Sequence, residues 1–160
     1  MEQEKEAILQ TSIEVSTTCD LWLDSLALIY HTYYCAHVGH WNIKGESFSA
    51  WHKFLNDAYE FWHDLADTVA EHIRATFKED IPNNFQVLLR RIQGDPTADI
   101  EPDGLGYFQA LLVYQEAAAT VFDMLAKKAD AESDQASLDL AASTLREIKK
   151  YIWQTRSHLD

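Results

Sequence analysis

The sequence predicts an all-α fold: a four-helix bundle whose two helical hairpins are joined by one long crossover. Three observations carry this expectation. Glycine and proline are scarce, at 5 and 3 in 160 residues, too few for the tight turns of a sandwich or barrel. All three prolines fall between Pro82 and Pro102, with Gly94, Gly104 and Gly106 clustered among them, so residues 1–81 and 103–160 contain none. That partition separates two helical halves. Within each half, apolar residues recur mostly three and four apart, the spacing of one helix face.

The elements follow in order. Ile8, Ile13, Val15, Cys19, Trp22, Leu26, Ile29, Tyr30 and Tyr33 predict a first helix from about Lys5 to His40. Gly39 and Gly45 interrupt the pattern. Phe48, Trp51, Leu55, Tyr59, Trp62, Ala66, Val69, Ala70 and Ile73 then predict a second, from about Ser47 to Phe77, with Ser47 as the candidate N-cap. The crossover holds a short helical piece, Phe85 to Ile92, closed by Gly94, Asp95 and Pro96. A third long helix is expected from about Leu105 to Ala129, behind Asp103, with Phe108, Leu111, Leu112, Val121, Phe122 and Leu125 as its core stripe. The fourth runs from about Asp134, its candidate N-cap, to His158, with Leu138, Ala141, Leu145, Ile148, Ile152 and Leu159 apolar. Two hairpins joined by a single long crossover is the connectivity of ferritin-like bundles. The length fits one domain over residues 1–160, and no repeat or linker breaks it.

Composition excludes several classes. Hydrophobic residues make up 47% and charged residues 24%, which is globular rather than disordered. Lys and Arg number 13 against 26 Asp and Glu, a formal net charge of −13. Such a chain lacks the basic footprint that nucleic-acid phosphates require. Cys19 and Cys35 are too few for a disulfide framework and are expected as buried, reduced thiols. No apolar run reaches membrane-spanning length, and the acidic start MEQEKEA is unlike a signal peptide. The expected location is the cytoplasm.

Chemistry concentrates in the first two helices, which hold six of the seven histidines: His31, His37, His40, His52, His63 and His72, with His158 apart. His52, Asn56, Glu60, His63, Asp67 and Glu71 are spaced by four, four, three, four and four, along one helix face. Such a face is either a solvated stripe or a set of metal ligands. Imidazole nitrogen with carboxylate oxygen suits iron and similar divalent ions. Lys53 is the only lysine between Lys44 and Lys78, so the cations of an ordinary surface ion-pair network are missing.

The run His40-Trp41-Asn42-Ile43-Lys44-Gly45, followed by Phe48, His52, Tyr59, Asp67, Ala70 and Glu71, resembles the HWNxxG…F…H…D…AE signature of Dps proteins (DNA-binding proteins from starved cells, or mini-ferritins). The final helix, through Tyr151-Ile152-Trp153, is also similar to the last helix of that family. The resemblance implies a homo-oligomeric hollow shell of twelve subunits with a ferroxidase site at each two-fold interface. It implies that His40 and His52 of one subunit face Asp67 and Glu71 of the next, these four being both catalytic and metal-binding. Iron would be substrate and product, Fe(II) oxidised by peroxide or O₂ and Fe(III) stored, with other divalent metals as alternatives. By the same resemblance, His40 and His52 would be nitrogen ligands and Glu71 the principal anionic one. Asp67 would be a ligand or the acceptor that orients an imidazole N–H. Trp41 stands where the family has an aromatic beside the iron; core packing is its expected role, and quenching of stray oxidising equivalents the alternative.

The sequence departs from the family pattern at Asn56, where an acid is usual. A neutral amide is a weaker ligand, so Asn56 puts the second iron position in question. Compensation from His63 or Glu60 is one reading; the expected role of His63 is an interface histidine. A cage with an impaired centre is therefore the alternative to an active ferroxidase. DNA compaction is a third and disfavoured reading, since Lys5 stands among Glu2, Glu4 and Glu6 and the chain shows no basic tail. Asp130, Glu132, Asp134 and Asp139 are expected as a solvated acidic turn, with a cation pore as the alternative. His31 and His37 are expected to be ordinary hydrogen-bonded or exposed histidines. No phosphate loop, cysteine zinc motif or nucleophile constellation is present.

Overall fold

A computed structural model describes residues 17–93, 100 and 104–160. It contains α1 (Thr18–Asn42), α2 (Phe48–Phe77), α3 (Phe85–Leu89), α4 (Leu105–Glu132) and α5 (Gln135–Ser157), and no strand among the described residues. α1 and α2 form one hairpin and α4 and α5 the other; α1 packs on α4 and joins the two. This is the all-α, four-helix arrangement with one crossover that periodicity predicts.

The helix ends have local causes. Thr17 is extended and caps α1: its hydroxyl accepts from the backbone N–H of Asp20, and the Asp20 carboxylate accepts from the Thr17 N–H. This capping box satisfies two otherwise orphaned donors. It sets a helix start at Thr18, within the expected first helix; the expected stretch from Lys5 to Ser16 lies outside the described residues, as does Asp103. Ser47 occupies the N-cap position of α2, but its side chain makes no capping bond. Asp134 does cap α5, accepting from Ser137 N at 3.1 Å. α3 stops at Leu89, shorter than expected, and turns continue to Ile92. α4 extends one turn past Ala129, closing with Ser133 in the left-handed region at φ 59°.

α1 is the central helix. Leu21 through Ile29 are buried without a break, so its amphipathic pattern is subordinate to burial on several sides. Trp22, Leu26, Ile29, Leu55, Trp62, Phe108, Phe122 and Ile148 are almost fully buried. Each such large apolar side chain contributes about 1.5–3 kcal/mol on leaving water. Cys35 is buried as expected; Cys19 is only half-buried, and no disulfide joins them.

The crossover is tied down on α1. Arg91 donates from Nε to Asp24 at 2.6 Å and from an Nη atom to Asp20 at 3.2 Å. His31 donates from Nε2 to the Leu89 carbonyl at 3.1 Å, and Phe85 packs edge-on against Tyr30. No helix among the described residues is long and apolar enough to cross a membrane.

Candidate metal centre

His40 lies in the last turn of α1 and His52 near the start of α2. The short turn between them passes through Gly45 at φ 104°, a left-handed conformation that glycine adopts without a Cβ penalty. That turn brings the imidazoles face to face at 3.8 Å with ring planes 20° apart. Each Nδ1 hydrogen-bonds the other residue's backbone: His40 to the His52 carbonyl at 3.1 Å, His52 to the His40 carbonyl at 2.9 Å. A carbonyl oxygen only accepts, so both Nδ1 atoms carry the proton. In the neutral rings both Nε2 lone pairs are then left available, as metal-ligating histidines require.

An aromatic wall adjoins this pair. Phe48 stacks on His52 at 4.9 Å, and Tyr59 meets His40 edge-on at 5.2 Å. His37 lies against both Trp41, at 4.0 Å, and Tyr59, at 4.2 Å. Burial, reinforced by the neighbouring His40, holds the His37 imidazole below the ordinary histidine value. Tyr33 Oη and His37 Nδ1 are hydrogen-bonded at 2.9 Å. Sequence reasoning treated His37 as ordinary and gave Tyr33 only a place in the core stripe. A usable signal was present: Tyr33, His37 and His40 are spaced by four and three, on one face of α1. Trp41 is 62% exposed, which overturns core packing as its role within the chain. The end of α1 turns it outward, with His37 as its ring partner within the chain.

The α2 face continues away from the histidine pair. Tyr59 donates its hydroxyl to Asn56 Oδ1 at 3.0 Å, and Asn56 Nδ2 donates to Glu60 Oε1 at 2.9 Å. Both ends of the Asn56 amide are therefore engaged. His63 is exposed, 3.4 Å from the Asp64 carboxylate. Asp67 and Glu71 are exposed further along the same uninterrupted helix. At 1.5 Å rise per residue, Asp67 lies about 22 Å along the axis from His52. The chain thus brings His40 and His52 together and keeps Asp67 and Glu71 apart from them. Among the described residues no three His, Cys, Asp or Glu are grouped to hold a metal within one chain.

The remaining histidines have structural partners. His31 stacks on Tyr114, and His158 packs between Phe54 and Phe108. His72 donates from Nε2 to Ser137 Oγ at 2.9 Å, whose hydroxyl proton goes to Asp134 at 2.6 Å. In the acidic turn, Glu132 accepts from the Thr18 hydroxyl at 2.7 Å and Asp134 is a cap. Both are therefore occupied in holding helix ends.

Comparison with known proteins agrees with this architecture. The family model described as ferritin-like domain matches residues 23–160. A DNA protection during starvation protein of Helicobacter pylori is 26% identical over 124 residues, covering 77% of this chain and 85% of that protein. Two solved structures are similar over nearly their whole length. Helicobacter cinaedi CAIP shows 26% identity and a TM-score of 0.81, covering 90% of this chain and 100% of that one. Dps from Listeria monocytogenes shows 19% identity and a TM-score of 0.82, covering 92% and 96%. On the match over residues 23–160, the chain belongs to the ferritin-like domain family, and its bundle has the fold of Dps proteins.

Proposed function

We propose that this protein is a Dps-type mini-ferritin. In this reading it oxidises Fe(II) at sites shared between two subunits and stores Fe(III) inside a closed homo-oligomeric shell of twelve subunits. The observation that carries the proposal is the His40–His52 clasp, which stacks the two rings at one end of the hairpin and engages each through Nδ1, leaving Nε2 for a metal. The acids completing such a centre, Asp67 and Glu71, lie about 22 Å and about 28 Å from His52 along a straight helix, so they must come from a second copy. An antiparallel pairing of α2 with its symmetry mate supplies them as Asp67 and Glu71 of the partner subunit. Membership of the ferritin-like family supports iron as the cargo.

Two Fe(II) ions give one electron each to a peroxide, which takes up two protons and leaves as two waters. His40 and His52 bind through nitrogen, and the two carboxylates offset the charge that increases as iron is oxidised. Consuming Fe(II) and peroxide together limits hydroxyl-radical chemistry. The cytoplasm is the location we assign. A net charge of −13 per chain disfavours direct DNA binding.

One observation favours a second reading, a cage with a slow centre. The Asn56 amide, standing where the family pattern has an acid, is engaged by Tyr59 and Glu60 rather than turned to an ion. The test adds Fe(II) to metal-free protein, then peroxide or O₂ separately, and follows Fe(III) absorbance. Rapid oxidation that is lost in a His40→Ala/His52→Ala variant supports the ferroxidase reading. A rate equal to buffer leaves the passive cage.

A further inference from the structure

We propose a second divalent-cation site on the two-fold axis of the α2–α2 interface, built from Glu60 and His63 of one subunit and the same two residues of its mate. The inference rests on the antiparallel pairing proposed above. Positions 52 and 71 share a midpoint with positions 56 and 67, halfway between Phe61 and Trp62. Positions 60 and 63 have the same midpoint. Any register that sets His52 against Glu71 of the partner subunit therefore sets Glu60 against His63 of the partner subunit, twice, on either side of the axis.

Glu60 and His63 form the chain's only Glu-x-x-His motif, with carboxylate and imidazole three residues apart on one helix face. Two such motifs facing each other are how ferritin-like bundles hold metal within one chain. Here each chain carries one, which fits the lack of a three-ligand group within one chain among the described residues. Both side chains are exposed, and with Tyr33, Tyr59 and Asp64 they line an open cleft of about 400 Å³.

Glu60 is also held in place. Asn56 donates to it at 2.9 Å and is itself oriented by the Tyr59 hydroxyl. An acid at position 56 could not donate and would repel Glu60 one turn away. Asn56 is thus a positioning residue for Glu60, which accounts for an amide at this place. Two imidazoles and two carboxylates form a four-donor set suited to Zn(II), Co(II) or Fe(II).

The test titrates Co(II) into metal-free, assembled His40→Ala/His52→Ala protein, which lacks the paired-histidine centre, and follows the visible d–d bands and the stoichiometry. The expected result is one Co(II) per two chains, lost in both Glu60→Gln and His63→Gln made in that background. An assembled protein whose Co(II) stoichiometry is unchanged by both substitutions, or that binds no Co(II), overturns the axial site. Fe(II) oxidation by the parent protein then reports separately on the paired-histidine centre. A chain that stays monomeric and binds no Co(II) at half stoichiometry overturns the axial site together with the interface it rests on.

Discussion

His40 and His52 lock each other's tautomer: each imidazole donates Nδ1–H to the other's backbone carbonyl, at 3.1 and 2.9 Å, while the rings stack at 3.8 Å. Each ring is thus oriented by the other residue's backbone and by stacking on the other ring. Replacing either histidine by alanine removes one nitrogen donor and the stacking partner of the other ring, whose Nδ1–H keeps its backbone acceptor. We expect each single variant to lower the Fe(II) oxidation rate by at least about tenfold, the lower end of what mis-set metal ligands cost. We expect the double variant to be little worse than either alone. Stopped-flow absorbance of Fe(III) with peroxide measures this. Effects that multiply independently would show that the two imidazoles act separately rather than as one centre.

Asn56→Asp tests the departure from the family pattern. The change supplies an acid near the proposed centre but removes the donor to Glu60 and sets two carboxylates one turn apart. Oxidation is expected to speed up several-fold, while stability falls by about 1 kcal/mol from the lost hydrogen bond and like-charge contact. Paired kinetic and thermal-melt measurements read both. An unchanged rate would mean that the native centre already has its full ligand set.

Arg91 anchors the crossover through a carboxylate with little access to water. The Asp24 side chain is 5% exposed and its Arg91 partner 27%. Burial raises the Asp24 pKa above its usual value although Arg91 pulls it down. Arg91→Met leaves that carboxylate without its cation and should cost about 3 kcal/mol, read as a lower denaturant midpoint at pH 7. The loss should shrink in acid, where Asp24 becomes neutral.

Gly104 precedes α4 at φ 89°, and a Cβ built there would lie 2.5 Å from Trp51. Gly104→Ala therefore combines left-handed backbone strain with a clash against a half-buried indole. A loss of about 2–4 kcal/mol is expected, seen as a lower melting temperature. A shift within error would show that Trp51 moves aside freely.

Burial holds the His72 imidazole below the ordinary histidine value of 6.5, with the Asp134 carboxylate pulling the other way. As pH falls through 6.5, the unfolded chain takes up this proton before the folded one does, so the contribution of His72 to stability is present above that pH and declines below it. Thermal melts from pH 7.5 to 5.5 should show this decline. His72→Gln keeps a donor for Ser137 and should reduce the slope; an unchanged slope would place the acid sensitivity elsewhere.

Much of this was legible in the residues alone. The proline-free halves and the three-and-four apolar spacing placed α2 and α5 to within about a residue of each end, because those signals are local. The helix start at Thr18 was not legible in the apolar periodicity, because the capping box of Thr17 with Asp20 that makes it is a polar contact. Trp41 was misread for a related reason: its type suggests core, but the helix end directs it outward.

The sequence by itself determined the helical bundle, its single crossover and the placing of histidines and acids along one face of α2, since helix period and chain breaks are properties of neighbouring residues. Only the tertiary structure decided that His40 and His52 clasp through their Nδ1 atoms and that Arg91 ties the crossover to Asp24 and Asp20 on α1. Those outcomes depend on how the Gly45 turn sets α2 against α1 and on how the crossover folds back onto α1. No spacing rule along a single segment contains that information.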